Sequence, residues 1–268
     1  MSARLSALAA QLGVAQEPVD ALVTSLAGGR PPELSVSLQS KGLGAMFRGE
    51  DPAFSQRALQ LAEAWGFSDA ARATLSQDAA RFEHRRAFFK VDFGEDGVRE
   101  LSMYWRRRPP MDRVLSWLCE IGSTPEDILR VTQAAQLLTS PNLHFWARSY
   151  GKDGQARIKL YWTQRGEPRL WPGVERLLTL QGVDPACLSA VDRSLDRFLS
   201  LELDAQGHVL PGAKLDLHGA SVELAGSFGA GVGGQERALA LLRTGPLDYV
   251  GLRLGAGVEQ VKLYSTRT

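Results

Sequence analysis

Residues 157–162, Arg157-Ile158-Lys159-Leu160-Tyr161-Trp162, alternate polar and apolar side chains, the pattern of a strand with one covered and one polar face. A strand over His144–Tyr150 precedes it, joined through Gly151-Lys152-Asp153-Gly154, so the two read as a hairpin. Outward in both directions the same second-strand pattern returns: Gly44-Ala45-Met46-Phe47, Leu101-Ser102-Met103-Tyr104-Trp105, Ala213-Lys214-Leu215-Asp216 and Val261-Lys262-Leu263-Tyr264. Phe47, Tyr104, Tyr161, Asp216 and Tyr264 recur at roughly 50–57 residues, a period long enough for a complete supersecondary unit.

Each copy brings a hairpin. Ala87–Phe93 and Val98–Trp105 flank Gly94-Glu95-Asp96-Gly97, whose Asp-Gly is a strong turn signal. Phe198–Leu203 and Val209–Leu217 flank Ala205-Gln206-Gly207, and Tyr249–Leu254 and Glu259–Ser265 flank Gly255-Ala256-Gly257. Pro31-Pro32 introduces Glu33-Leu34-Ser35-Val36-Ser37-Leu38, with Glu33, Ser35 and Ser37 on one face. Helices are expected over 3–27, 52–65, 69–85, about 111–139, 173–198 and 235–243, with Ala27-Gly28-Gly29 stopping the first and Asp51-Pro52 opening the second. Pro109-Pro110 and Pro168 mark strand exits and no low-complexity linker divides the chain, so residues 1–268 read as one domain.

An open sheet of ten antiparallel strands would leave two unpaired edges, which closure removes. The expected fold is therefore α+β: a closed ten-stranded antiparallel barrel of five repeated α-β-β-α units, helices outside. Alternate strand residues face the lumen of a barrel. A dry outer face under helices would not tolerate Arg157, Lys159, Lys214 and Lys262. Those cations are placed inside, in a basic, tyrosine-lined lumen whose polar-x-aromatic pairs all face one way.

Composition narrows the class. The 31 basic and 30 acidic side chains nearly cancel, which gives no electrostatic reason to expect nucleic acid or an anionic membrane as partner. Nothing approaches the roughly 18 apolar residues of a membrane span. Cys119 and Cys187 lack metal-ligand spacing, and the four histidines, His84, His144, His208 and His218, show none either. Met1-Ser2-Ala3-Arg4-Leu5 does not read as a signal peptide. A reduced, cytoplasmic protein is expected. Gly229-Ala230-Gly231-Val232-Gly233-Gly234 formally fits a glycine-rich dinucleotide loop but has no acidic residue about twenty positions on, and it reads as a flexible loop. Arg106-Arg107-Arg108 before Pro109-Pro110 reads as a solvated turn.

These motifs resemble the aromatic prenyltransferases of the α-β-β-α barrel, and among them the dimethylallyl-tryptophan-synthase type, over essentially the whole chain. Pro32-Glu33-Leu34-Ser35-Val36-Ser37-Leu38 is similar to the family's first-strand motif, whose glutamate contacts an indole nitrogen. Arg157-Ile158-Lys159-Leu160-Tyr161 is similar to its third-repeat strand that binds prenyl diphosphate. The chain departs from the pattern at Gly44, where an arginine is expected with Lys41 and Arg48 close by, at Ser102, where a lysine is expected, and at Asp216, where a tyrosine is.

The resemblance implies transfer of a dimethylallyl or geranyl group from an allylic diphosphate to an electron-rich aromatic small molecule or peptide of the indole or tryptophan type, without nucleic acid, membrane or obligatory metal; no aspartate-rich metal motif is present. It assigns the diphosphate to Arg157, Lys159, Lys214 and Lys262, helped by Tyr104, Tyr161 and Tyr264, and the acceptor to Glu33. The chemistry is coherent. Arginine grips phosphate bidentately and lysine supplies point charge, while tyrosine rings attract an allyl cation. Each residue also has a plainer reading. A lysine two before a tyrosine suits any solvated sheet face, Glu33 suits an exposed strand start, and Asp216 suits an ion pair. A barrel relative that binds a small molecule or peptide without catalysis is the alternative function.

Overall fold

Ten strands close into one antiparallel ring in the computed structural model, which describes residues 2–25, 32–49, 54–81, 87–105, 108–140, 142–228 and 232–265. They are β1 (Glu33–Ser37), β2 (Leu43–Gly49), β3 (Ala87–Gly94), β4 (Gly97–Trp105), β5 (Phe145–Gly151), β6 (Ala156–Gln164), β7 (Arg197–Leu203), β8 (Ala213–His218), β9 (Tyr249–Leu254) and β10 (Val258–Ser265). Each pairs with its sequence neighbours, and β1 meets β10 to seal the ring, Ser35 opposite Tyr264 and Ser37 opposite Lys262. The expected closed barrel is the observed one.

Around it run α1 (Ser2–Leu12), α2 (Gln16–Ser25), α3 (Phe54–Ala64), α4 (Asp69–Arg81), α5 (Met111–Ile121), α6 (Pro125–Leu137), α7 (Trp171–Leu180), α8 (Val222–Ser227) and α9 (Val232–Leu242). None is long and apolar enough to cross a membrane. The hydrophobic core is the shell between these helices and the outer face of the barrel. Leu34, Val91, Met103, Leu160, Leu201, Leu215, Leu252 and Leu263 alternate outward and are buried there, each such side chain stabilising by about 1.5–3 kcal/mol. Trp105 and Trp146 stack on that face at 4.2 Å, and Trp117 of α5 joins Trp146 at 4.7 Å. Where the outer face carries charge, it is partnered. Arg148 of β5 meets Asp78 of α4 at 3.2 Å, and the Tyr150 hydroxyl donates to the same carboxylate at 2.7 Å.

The long helices expected from periodicity are broken. Gly122, at φ 111°, ends α5 in the left-handed region, where a side chain would be strained. Thr124 then opens α6 with a capping box to Asp127. The run 3–27 likewise divides into α1 and α2, and the run 173–198 stops at Leu180, followed by a short 3-10 turn over Pro185–Leu188. The strand expected from Val209 begins at Ala213; before it, only an isolated bridge joins Val209 to Leu203, because Pro211 has no amide N–H to give a ladder. Arg106, Arg107, Asp51, Pro52 and Gly229-Ala230-Gly231 lie outside the described residues.

Candidate functional site

Strand alternation decides what the lumen holds. On β6, Ile158, Leu160 and Trp162 are turned into the core, which leaves Lys159 and Tyr161 facing in. The same parity brings Tyr104 of β4, Lys214 and Asp216 of β8, and Lys262 and Tyr264 of β10 to the wall of one cavity of about 390 Å³, and Glu33 of β1 joins them. Arg157 keeps the inward parity but sits beyond that wall, its side chain 44% exposed and 3.8 Å from Glu202. The first repeat breaks the common parity. Glu33 pairs with Met46, so Met46 lines the lumen while Phe47, expected inside, is buried in the outer core.

The lumen has two unlike ends. Where odd strands begin and even strands finish, rings form an almost continuous belt. Tyr161 stacks on Phe145 at 4.2 Å, Phe145 meets Phe198 at 5.4 Å, Phe198 meets His218 at 4.8 Å, His218 meets Tyr249 at 4.9 Å, and Tyr249 stacks on Tyr264 at 4.1 Å. Tyr104 extends the belt from Tyr161 at 6.0 Å. Glu33 belongs to this end, accepting a hydrogen bond from the Tyr249 hydroxyl. Burial pushes its carboxyl up to about 7 even though that bond and Lys90 favour the ionised form. Burial keeps Tyr161, Tyr249 and Tyr264 protonated well above the usual phenol range. They are hydrogen-bond donors at any physiological pH. Burial also holds the His218 imidazole below its ordinary value.

The other end is charged but not simply basic, and here the expectation of a basic lumen is corrected. Lys90 of β3 lies 2.8 Å from Asp92. Lys262 lies 3.5 Å from the same carboxylate. Lys159 has Glu202 at 3.6 Å and Glu100 at 3.8 Å. Lys214 has Asp216 at 2.6 Å and stands 5.1 Å over the Tyr264 ring. Asp216 is therefore the ion-pair partner of Lys214 itself. Arg253 of β9 has Glu202 at 3.2 Å. A buried cation needs a partner, and these carboxylates provide it. Burial works against the charges of Lys90 and Lys159, yet Asp92 for the one and Glu100 with Glu202 for the other hold both ammoniums above their ordinary value. Burial likewise opposes the charge of Asp92, and Lys262 and Lys90 overcome it to keep that carboxyl well below the usual range. Lys262 goes the other way. Asp92 supports its charge, but Lys90, burial, Lys159 and Lys214 together bring it down to about 8.

Two gaps in the motif pattern are filled across the ladder. Ser102, where a lysine is expected, pairs with Lys90. A Cβ on Gly44, where an arginine is expected, would stand 2.9 Å from Lys90 Cε and 3.0 Å from Asp92 Oδ1. The bare glycine thus makes room for the Lys90–Asp92 pair. Lys90, Asp92, Glu100, Glu202, Tyr249 and Arg253 all line the cavity without having been singled out from sequence. Among the described residues no group of three or more His, Cys, Asp or Glu side chains is placed to hold a metal ion.

Solved structures share this fold. The chain aligns over 99% of its length with 94% of a 6-dimethylallyl tryptophan synthase, at TM-score 0.69 and 18% identity. The fold is the prenyltransferase barrel. A 6-dimethylallyltryptophan synthase from Micromonospora olivasterospora, in complex with DMASPP and Trp, matches at TM-score 0.65 and 16% identity over 98% of this chain and 95% of that one. A 5-dimethylallyl tryptophan synthase from Streptomyces coelicolor, also in complex with DMASPP and Trp, matches at 0.63 and 14% identity over 99% and 94%. No protein-family model matches the sequence, and no curated protein matches it. The prenyltransferase barrel of this chain thus keeps the architecture at low sequence identity, with a lumen that is aromatic at one end and ionic at the other.

Proposed function

We propose that this chain transfers a prenyl group, dimethylallyl or geranyl, from an allylic diphosphate to an electron-rich aromatic acceptor of the indole or tryptophan kind, without an obligatory metal. The observation that carries the proposal is the meeting of Glu33, Tyr104, Tyr161, Tyr264, Lys159, Lys214 and Lys262 on one cavity of a prenyltransferase barrel. DMASPP and Trp, named with two of the matched structures, support the donor and acceptor classes.

In this reading the C–O bond of the donor ionises, leaving diphosphate among Lys159, Lys214, Lys262 and the newly found Lys90, with Arg157 at the rim. Preorganised charge at the leaving group is the main source of rate. The allyl cation is held against the belt of Tyr104, Tyr161 and Tyr264, whose ring faces attract it, and the barrel wall keeps water from it. The arene carbon attacks, forming the C–C bond, and the ring proton passes to the departed diphosphate, which restores aromaticity. Glu33 accepts the indole N–H and so supports the positive charge that develops on the ring.

A second reading, a barrel that binds a small molecule or peptide without catalysis, is favoured by one observation: each lysine named here already has a carboxylate within 4 Å. One assay separates the two. The protein is incubated with dimethylallyl or geranyl diphosphate and a panel of indoles, tyrosine and short peptides, and products are read by mass. A prenylated acceptor is expected. Binding of a panel member with no product from either donor would favour the second reading.

A further inference from the structure

Glu33 is the first residue of β1, and Met46, its ladder partner on β2, offers its carboxylate no side-chain donor. The group that holds it comes from β9, across the intervening β10. There the Tyr249 hydroxyl donates to Oε1. Among the described residues no other hydrogen bond or ion pair reaches Glu33, which lines the lumen. A carboxylate accepts at both oxygens, so Oε2 remains for a ligand. Tyr249 is itself held. Its ring stacks on Tyr264 at 4.1 Å with 10° between the planes, and His218 flanks it at 4.9 Å. These are its ladder partners on β10 and β8, so the phenol is fixed from two strands. Burial and the neighbouring Glu33 keep it protonated, and its hydroxyl remains a donor.

We infer that Tyr249 is a positioning residue for the acceptor: it fixes Glu33 through Oε1, presents Oε2 to a ring N–H, and so makes the site select N–H heteroarenes over equal rings that lack the donor. The inference rests on the prenyl-transfer reading given above. An N-alkylated ring would leave the second carboxylate oxygen without a partner, the kind of mismatch that a site built for a donor rejects. The same bond bears on the charge of Glu33. Facing its carboxyl are Tyr249 from β9, Lys90 from β3, and Asp216 and Lys214 from β8, while Tyr264 of β10 stands beside Ser35. Arg237 of α9, which packs on β1, is engaged by the Ser37 and Leu38 carbonyls at the far end of the strand. Burial opposes ionisation of Glu33, and Tyr249 is the foremost of the groups that favour it.

The test uses Tyr249→Phe, which keeps the ring and removes only the hydroxyl, and Tyr249→Met, which fills the space with a flexible apolar chain, each checked by thermal melt. One readout is kcat/KM for an accepted indole from the panel above and for its N-methyl counterpart. The other is the pH titration of the Glu33 carboxyl in the free protein by difference infrared spectroscopy, its band assigned with Glu33→Gln. The unaltered chain should prefer the N–H ring about tenfold or more. Both variants should lose most of that preference while the KM for dimethylallyl diphosphate holds, and the carboxyl midpoint should rise by about 1–2 pH units. If the unaltered chain shows the preference but a folded variant keeps it, or keeps the midpoint, Glu33 is oriented without Tyr249 and this inference falls alone. If the unaltered chain prenylates both rings equally, the acceptor role of Glu33 falls as well. If it prenylates no member of the panel, the prenyl-transfer reading falls and takes the inference with it. Failure of both variants to fold would make Tyr249 a structural residue and would also overturn the inference.

Discussion

Within the lumen, the Glu33 carboxyl is pushed up to about 7 and the Lys262 ammonium is brought down to about 8. Glu33 can accept an indole N–H strongly only when ionised, so its contribution appears as pH rises through about 7. Lys262 attracts diphosphate only when protonated, so its contribution disappears as pH rises through about 8. The pH profile of kcat/KM should be a narrow bell between these values. Glu33→Gln should abolish the acid limb and slow transfer to indoles by about 1.5–3 kcal/mol, the strength of a charge-assisted bond, while Lys262→Met should flatten the alkaline limb. An unchanged acid limb in Glu33→Gln, at unchanged rate, would sink the acceptor role. The cations should also separate in effect. Lys159→Ala is expected to remove roughly 2–4 kcal/mol of transition-state stabilisation, as for one preorganised donor. Arg157→Ala, a half-exposed rim charge, should remove at most about 1 kcal/mol. Equal losses in donor kcat/KM would show that the diphosphate sits further toward the rim than Lys159. At this scale the inward tyrosines and lysines were legible because the second strands repeat. Of their carboxylate partners, Asp216 stands in the repeated motif, whereas Asp92 and Glu202 lie on first strands, which carry no repeated motif, and Glu100 precedes the repeated segment of β4.

The strand pairs explain what else the sequence hid. On β3 and β4 the register shifts between Asp92 and Phe93, so Asp92 pairs with Glu100 although Phe93 pairs with Val98. Counting back from the turn without that bulge would put Lys90 opposite Leu101, on the outer face. The same device recurs on β9 and β10, where Leu254 pairs with Val258 but Arg253 with Gln260. A one-residue bulge exchanges the faces of everything beyond it, and both unrecognised lumen cations, Lys90 and Arg253, lie just past one. Helix ends were misjudged for a related reason, since Gly122 and Thr124 act through backbone geometry rather than periodicity. The start of α6 offers a test of its own. Asp127 accepts from Thr124 Oγ1 at 2.6 Å and from the Val209 amide at 2.8 Å, and meets His208 Nδ1 at 3.0 Å, tying the β7–β8 connection to the helix. Asp127→Ala removes the reciprocal half of the capping box and orphans the buried Val209 N–H, so denaturant unfolding should report a loss of about 2–3 kcal/mol. Burial works against ionised Asp127, but Thr124, His208 and Val209 outweigh it and hold the carboxyl well below its ordinary range. The hydrogen bond to Asp127 holds His208 above its own. A lowered carboxyl stabilises above its unfolded pKa and loses that contribution as pH falls through the folded one. A raised imidazole stabilises below its unfolded pKa and loses it as pH rises through the folded one. Asp127→Ala should therefore flatten both arms of this local pH dependence, and an unaltered stability profile would count against the node.

For the molecule as a whole, the proposed chemistry depends on side-chain cations and not on a metal, so prenyl transfer should continue in excess chelator. Loss of turnover on chelation, restored by magnesium, would contradict that reading. The barrel and its helical coat were legible in the sequence because five hairpins of repeated pattern admit few arrangements that leave no edge exposed. The balance of charge inside was not, since it arises from pairs that form only when distant strands curl together. Ring closure also bears on how the chain reaches this state. Every seam but one joins strands that follow each other in sequence and can grow hairpin by hairpin. The seam between β1 and β10 is different; across it, Gln260 donates to Ser37 from 223 residues away. Closing long loops is slow, so this seam is expected to form last. Until then the nascent sheet has two open borders, each able to capture the border of another molecule. Recovery of the protein after denaturation should then be governed chiefly by its concentration during refolding.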